Sequence, residues 1–187
     1  MKRISGLSIC LIFSLFLFSP LPIHAETARI KDILVTNNST HLLVYARVTN
    51  CFTKDMDAAI LAGIPTTFTF PLELYQVRSR WLDNKLIRLT IRHTIKYDNV
   101  KKLFYVTSHG DKEPTPFQDY ESAKQAMADL NGVQVALLKA LKRGEYYYVQ
   151  IKAKLDKVRL PLHMEYIFFF VSLWDFETDW YQEGFYY

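Results

Sequence analysis

Four histidines follow the apolar amino-terminal segment, and histidine is the side chain best suited to acid–base or metal chemistry near neutral pH. They are His41, His93, His109 and His163. No two stand at the i, i+2 or i, i+4 spacing of metal ligands. The position of His93 among alternating apolar residues indicates a hydrogen-bonded core histidine. His109 lies in a polar loop, where the exposure that catalysis needs is available.

Three carboxylates alternate near the carboxyl terminus, at Asp175, Glu177 and Asp179. On a strand they would share one face about 7 Å apart, a spacing compatible with glycoside hydrolysis or a hard cation. Both roles need partners from other strands, and ion pairs with neighbouring Lys or Arg explain the same pattern. The sequence also lacks a nucleophile motif and a glycine-rich phosphate loop. We therefore predict a non-enzymatic protein with no catalytic, cofactor or metal site.

Basic residues recur at the polar positions of two predicted strands and their connection. The candidate interaction face consists of Arg78, Arg80, Arg88, Arg92 and Lys96. If the strands are neighbours, these side chains form a basic stripe that can bind anionic lipid headgroups or an acidic partner. The alternative is a solvated polar face with no further role.

A run of three tyrosines supplies a second candidate surface. Tyr147 shares the parity of Val149 and is predicted to lie in the core. Tyr146 and Tyr148 face the other way, and we predict that they form an aromatic surface for a glycan, peptide or lipid.

The stretch that positions these residues is 87–97, IRLTIRHTIKY, in which apolar and polar residues alternate. This period of two predicts a half-buried antiparallel strand. Similar alternation at 42–48, 68–74 and 147–155 predicts a mainly β protein, an antiparallel β-sandwich. A change of parity after Leu74 predicts a β-bulge there.

Two helices interrupt the strands. A short corner helix is predicted at about 54–62, with Thr53 as its cap and Gly63 at its end. An inserted helix is predicted at about 119–131, with Asp119 as its cap and Asn131-Gly132 at its end. Residues 133–141 fit a strand or a helix. We favour a strand, because residues 142–145 would then form a hairpin turn into the next strand.

The first 25 residues have the parts of a secretory signal peptide, with Lys2 and Arg3 before an apolar run and Ala25 at the cleavage point. We predict a signal peptide over 1–25, a single domain over 26–187 and a periplasmic location. An uncleaved inner-membrane anchor over residues 7–23 is the alternative.

Cleavage would lower the formal net charge from +4 to +2, with 21 Lys and Arg against 19 Asp and Glu. Such a weak charge gives no support to a nucleic-acid partner. Cleavage would also leave Cys51 as the single cysteine, which we interpret as a small buried hydrophobe. An intermolecular disulfide remains open.

Short motifs recur in an order typical of one family. They are A-G-I-P at 62–65, R-S-R-W at 78–81, the helix at 117–130, G-E-Y-Y-Y at 144–148, L-P-L at 160–162, W-D-F at 174–176 and D-W-Y at 179–181. In this order the chain resembles the proteobacterial family of domain of unknown function 4390 over nearly its whole mature length. The resemblance implies an envelope location and a link to sensor histidine kinases. It implies no activity and no site residue.

These observations favour an exported envelope protein that acts as a non-catalytic protein-interaction module. Membrane association through the amino-terminal segment or through anionic lipid is part of that expectation. The alternative is a periplasmic binding protein for a lipid or hydrophobic small molecule, with the aromatic carboxyl-terminal third lining a cleft.

Overall fold

The computed structural model describes residues 27–156 and 176–187. The predicted signal segment and the apolar run at 166–171 lie outside the described residues, as do the L-P-L motif at 160–162 and Asp175.

The described residues form ten strands: β1 Arg29–Asn37, β2 His41–Thr49, β3 Thr66–Gln76, β4 Asn84–Asp98, β5 Leu103–Thr107, β6 Thr115–Phe117, β7 Asp129–Leu137, β8 Tyr146–Ile151, β9 Lys154–Leu155 and β10 Tyr181–Tyr186. The smaller of two antiparallel sheets has the order β1-β2-β7. The larger has the order β10-β8-β3-β4-β5-β6, with β9 also paired to β3, and it curls into a half-barrel. The predicted mainly β fold is confirmed.

Two short α-helices lie in the described part of the chain, α1 Lys54–Leu61 and α2 Tyr120–Ala128. Each begins at the predicted cap, because Thr53 accepts from the Met56 amide and Asp119 accepts from the Ser122 amide. The predicted end of α2 at Asn131-Gly132 is wrong. The helix stops at Ala128 and β7 follows directly, so both residues belong to a strand.

The connection after β7 also differs from the prediction. Residues 133–137 are in a strand, as favoured, and Leu138–Ala140 form a turn of 3₁₀ helix. Residues 142–145 are not a hairpin turn, because β7 pairs with β2 in the smaller sheet and β8 pairs with β3 in the larger. This segment carries the chain from one sheet to the other.

Inward side chains of both sheets and one face of each helix form a single apolar core. Phe68, Phe70, Leu72 and Leu74 of β3 are all fully buried, as the alternation predicts. Tyr147 is buried at its predicted core position. Each such side chain stabilises the fold by about 1.5–3 kcal/mol relative to exposure. The opposite parity of β3 and β4 therefore forms an outward face.

The helices are also joined to each other beside the core. The Tyr120 hydroxyl of α2 donates to Asp57 Oδ1 of α1 at 2.7 Å. Lys124 lies over the Tyr120 ring, 4.6 Å from its centroid, and pairs with Glu121 at 2.7 Å. These contacts hold the helical side of the molecule together, away from the outward face of the larger sheet.

Candidate interaction face

The outward face of the larger sheet is set by the register of β3 against β4. Glu73 lies opposite Arg88, and Thr69 lies opposite Arg92. A bulge lies at the predicted place, between Leu74 and Tyr75, but its extra residue is Leu86 of β4, because Leu74 pairs with Ile87 and Tyr75 pairs with Lys85. β3 itself does not change parity there. The same parity continues across the sheet to Gln150 of β8, which lies opposite Glu73. These strands therefore bring polar side chains from distant parts of the sequence onto one surface.

Glu73 is the acid at the centre of this face, and it is only 2% exposed. Its Oε1 accepts from Arg88 Nε at 2.6 Å and from Lys85 Nζ at 2.8 Å. Its Oε2 accepts from the Tyr75 hydroxyl at 2.6 Å and from Gln150 Nε2 at 2.8 Å. Four donors thus compensate one buried charge, as a buried carboxylate requires.

These donors determine the ionisation of Glu73. Burial by itself would raise its pKa, because a carboxylate loses hydration. Hydrogen bonds from Lys85, Tyr75, Arg88 and Gln150 outweigh burial and lower the pKa of Glu73 to about 2. The hydrogen bond between Lys85 and Glu73 also raises the pKa of Lys85. Glu73 is therefore ionised near neutral pH, and its negative charge is covered by cations.

Two tyrosines extend the face toward β8. The Tyr75 and Tyr148 rings are stacked, with centroids 4.9 Å apart and planes 10° apart. Lys85 Nζ lies 5.3 Å from the Tyr75 centroid. The Tyr148 hydroxyl donates to Asp83 Oδ2 at 3.2 Å, and burial followed by this contact raises the pKa of Tyr148. The stack is held from both ends and forms a rigid part of the surface.

The structure places the predicted basic residues in two groups. Arg88, Arg92 and Lys96 project from β4 on the outward face, and we refer to these three as the basic row. The side chains of Arg88 and Arg92 are 69% and 64% exposed. Arg78 and Arg80 instead lie in the loop between β3 and β4 and are exposed there.

The two predicted aromatic residues, Tyr146 and Tyr148, pack against different neighbours. Tyr148 belongs to the stack with Tyr75. Tyr146 begins β8, and its ring lies over Gly184 of β10 with its centroid 4.8 Å from that of Tyr186. Sequence reasoning missed Glu73 altogether. Its one signal was an acid at an outward position between Leu72 and Leu74. Three of its four donors come from β4 and β8, whose common pairing with β3 the sequence does not show.

His93 has the predicted core environment. It is 3% exposed, it packs edge-to-face on Phe70, and its Nδ1 lies 3.1 Å from the Met127 carbonyl oxygen. Since a carbonyl can only accept, Nδ1 carries the proton. Burial lowers the pKa of His93, because the imidazolium would lose its hydration.

A polar cleft of about 650 Å³ lies next to His93, and His109 and Asp111 line it from the loop after β5. Asp129 also lines it but is already paired with Arg47 through two contacts of 2.7 and 2.8 Å. Asp111 Oδ2 accepts from the Ser108 amide at 3.0 Å. The carboxylates of the cleft are thus engaged in structural contacts.

Of the three carboxylates near the carboxyl terminus, Glu177 forms an ion pair with Lys152, which matches its interpretation as part of a charged face. Asp175 lies outside the described residues, and Asp179 lies in the irregular segment before β10. Within residues 27–156 and 176–187, no group of three His, Cys, Asp or Glu side chains has the geometry of a metal site.

Cys51 is 4% exposed, and burial raises the pKa of its thiol to about 12. The side chain thus has the environment of a small hydrophobe, as predicted. Among the described residues, no helix has the length and apolar character to cross a membrane.

Comparison with known proteins identifies one family. The model of a family described as a domain of unknown function (DUF4390) matches residues 25–183. Searches of the curated proteins and of the solved structures gave no match.

Proposed function

The chain belongs to the family of domain of unknown function DUF4390, and from that premise we propose that it is a non-catalytic interaction module of the cell envelope. The outward face of the larger sheet would bind an acidic segment of an envelope protein. The family description supplies no activity, so the proposal depends on the charge and geometry of this face.

One observation carries the proposal. The acid at the centre of the face, Glu73, is buried beneath its donors, whereas the side chains of Arg88 and Arg92 are 69% and 64% exposed. Arg88 is paired with Glu73, and Arg92 Nε lies 3.7 Å from Asp156 Oδ2. The face still presents net positive charge outward, because these two acids are outnumbered by four cations, Lys85, Arg88, Arg92 and Lys96. Complementary negative charge on a partner would increase the association rate and determine its orientation.

The basic row also has a regular geometry. Its members are four residues apart on one strand, which corresponds to about 13 Å between successive side chains. β4 pairs with β3 from Asn84 to Ile95 and with β5 only from Thr94 to Asp98. Arg88 and Arg92 lie on the part of β4 that pairs with β3 alone, and Lys96 lies on the part that pairs with β5. The backbone positions of the row are therefore fixed before binding, and a partner would need to order only the exposed side chains.

The chemistry of the described residues supports a non-catalytic role. A general base must be within reach of a substrate proton and have lone pairs free to accept it. Both oxygens of Glu73 already accept hydrogen bonds, and His93 is buried against Phe70.

Site-specific photocrosslinking tests this function. A photoreactive amino acid replaces Arg92 in cells that produce the whole chain, and the same residue replaces Lys139 as a control on the exposed 3₁₀ turn. We expect a discrete protein adduct from position 92 and none from position 139. Equal adducts at both positions, or none at position 92, would contradict the proposal. An adduct of lipid mass would favour the alternative of a lipid-binding protein.

A further inference from the structure

The loop between β3 and β4 exposes two large apolar side chains at its tip. Trp81 is 82% exposed and Leu82 is 91% exposed, although burial of either would be favourable. Adjacent exposed apolar residues of this size commonly mark an interaction site.

The base of this loop is fixed to the sheet. The Val77 amide donates to the Tyr146 carbonyl at 3.0 Å. Asp83 accepts from the Arg78 amide through Oδ1 and from the Tyr148 hydroxyl through Oδ2, each at 3.2 Å. The tip is therefore presented at a defined position beyond the end of the sheet.

Arg78 and Arg80 are exposed on the same tip, directly before Trp81. Tryptophan is favoured at the interface between hydrocarbon and headgroups, and arginine is attracted to anionic headgroups. The tip thus combines the two side-chain types that hold a peripheral protein on an anionic membrane. A protein partner would need a pocket to receive Trp81 and Leu82, whereas a lipid surface accommodates a projecting tip without one.

We propose that this tip, residues 78–82, binds the surface of a membrane that contains anionic phospholipid, with Trp81 and Leu82 entering the interfacial region. This contact is separate from the basic row. It would orient the larger sheet so that the end carrying the β3–β4 loop points toward the lipid. The outward face would remain open to a partner.

Fluorescence quenching by lipid tests the proposal on the full chain isolated from the envelope of producing cells. Vesicles contain phosphatidylglycerol and phosphatidylcholine with brominated acyl chains, or brominated phosphatidylcholine alone. The measured quantity is the quenching of wild-type tryptophan fluorescence minus that of Trp81→Phe. We expect this difference to be large with phosphatidylglycerol and to fall roughly tenfold in Arg78→Glu/Arg80→Glu, as each reversed charge is repelled by the surface.

Two matched controls complete the test. Val100 is 92% exposed in the turn at the opposite end of β4, so Val100→Ser should leave the difference unchanged while Leu82→Ser reduces it. Lys101→Glu/Lys102→Glu, in the same turn as Val100, changes the net charge as much as the double arginine variant and should have no effect.

Quenching that is the same in wild type and Trp81→Phe would overturn the proposal, even if an amino-terminal anchor holds every variant on the vesicles. Equal losses from Leu82→Ser and Val100→Ser would also overturn it. The adduct at position 92 reports on the interaction face separately, so one proposal can fail without the other.

Discussion

The Tyr75 hydroxyl donates to the buried Glu73 carboxylate at 2.6 Å, within the same strand and on the same face. The Tyr75 ring stacks on Tyr148, whose hydroxyl in turn contacts Asp83 at the base of the β3–β4 loop. A continuous set of contacts thus joins the centre of the interaction face to the proposed membrane-binding tip. The position of the tip relative to the face depends on these contacts.

Glu73→Gln should destabilise the fold by about 1–3 kcal/mol near neutral pH, because the charge that the four donors compensate is lost. Glu73 has a pKa of about 2 when folded, below its ordinary value of 4.5. Its stabilisation is therefore fully present above pH 4.5 and is lost as the pH falls toward 2, by up to about 3 kcal/mol.

Urea unfolding across this pH range measures both effects. Below pH 4.5 the free energy of unfolding of the wild type should fall as Glu73 becomes protonated. Glu73→Gln should not show this part of the decrease. Glu121→Gln is the matched control, since Glu121 is 77% exposed in an ion pair on α2 and should matter little. Identical pH dependence in wild type and Glu73→Gln would contradict the account of this network.

His93 should titrate below its ordinary pKa of 6.5 in the folded protein, because burial disfavours the imidazolium. As the pH falls below 6.5, His93 is protonated more readily in the unfolded chain than in the folded protein. The free energy of unfolding is therefore highest, as far as His93 is concerned, above pH 6.5 and declines below it. Imidazole chemical shifts followed by NMR give the pKa directly. His109→Gln identifies the signals of the exposed loop histidine, and a His93 pKa at or above 6.5 would be the contrary result.

Cys51 should be unreactive toward a thiol reagent in the native protein and reactive after denaturation, since its thiol is buried and its pKa is raised to about 12. The difference between wild type and Cys51→Ala isolates its contribution from any other thiol. Rapid native labelling of Cys51 would show that the β2–α1 corner opens. A disulfide between two copies through Cys51 requires the same opening.

Gly184→Ala should destabilise the carboxyl-terminal strand by about 1 kcal/mol, because an added Cβ would lie 2.7 Å from Tyr146 Cζ. Tyr146 is partly exposed and its ring can move, so the cost is moderate. A double-mutant cycle with Tyr146→Ala checks the cause, since the penalty should disappear when the ring is absent. If Gly184→Ala destabilised the protein equally with Tyr146 and with Tyr146→Ala, the cause would instead be the backbone conformation at residue 184.

Alternation along the chain was sufficient to predict β2, β3, β4 and β8, because a side chain on a half-buried sheet must face either the core or water. It did not predict the short β6 or the last strand, β10. The sheet to which a strand belongs is not encoded locally. Residues 142–145 have hairpin composition, yet they connect two sheets because β7 pairs with β2. Asn131-Gly132 likewise has the composition of a helix end. Gly132 instead has a φ of +65° within β7, where an added Cβ would lie 3.1 Å from the Tyr45 hydroxyl oxygen.

The candidate site shows the same limit. The basic row could be predicted because Arg88, Arg92 and Lys96 share one parity on one strand. The network around Glu73 could not be predicted, because three of its four donors come from β4 and β8 and meet Glu73 only through the register of three strands.

Charge reversal within the basic row tests whether the outward face binds an acidic partner. A photoreactive residue at Tyr105, which lies opposite Lys96 on β5, reports on a partner bound to the face. We expect the adduct to form in an otherwise wild-type chain and in Lys139→Glu/Arg143→Glu, and Arg92→Glu/Lys96→Glu to abolish it. An adduct of undiminished intensity in Arg92→Glu/Lys96→Glu would contradict binding of an acidic partner by this face.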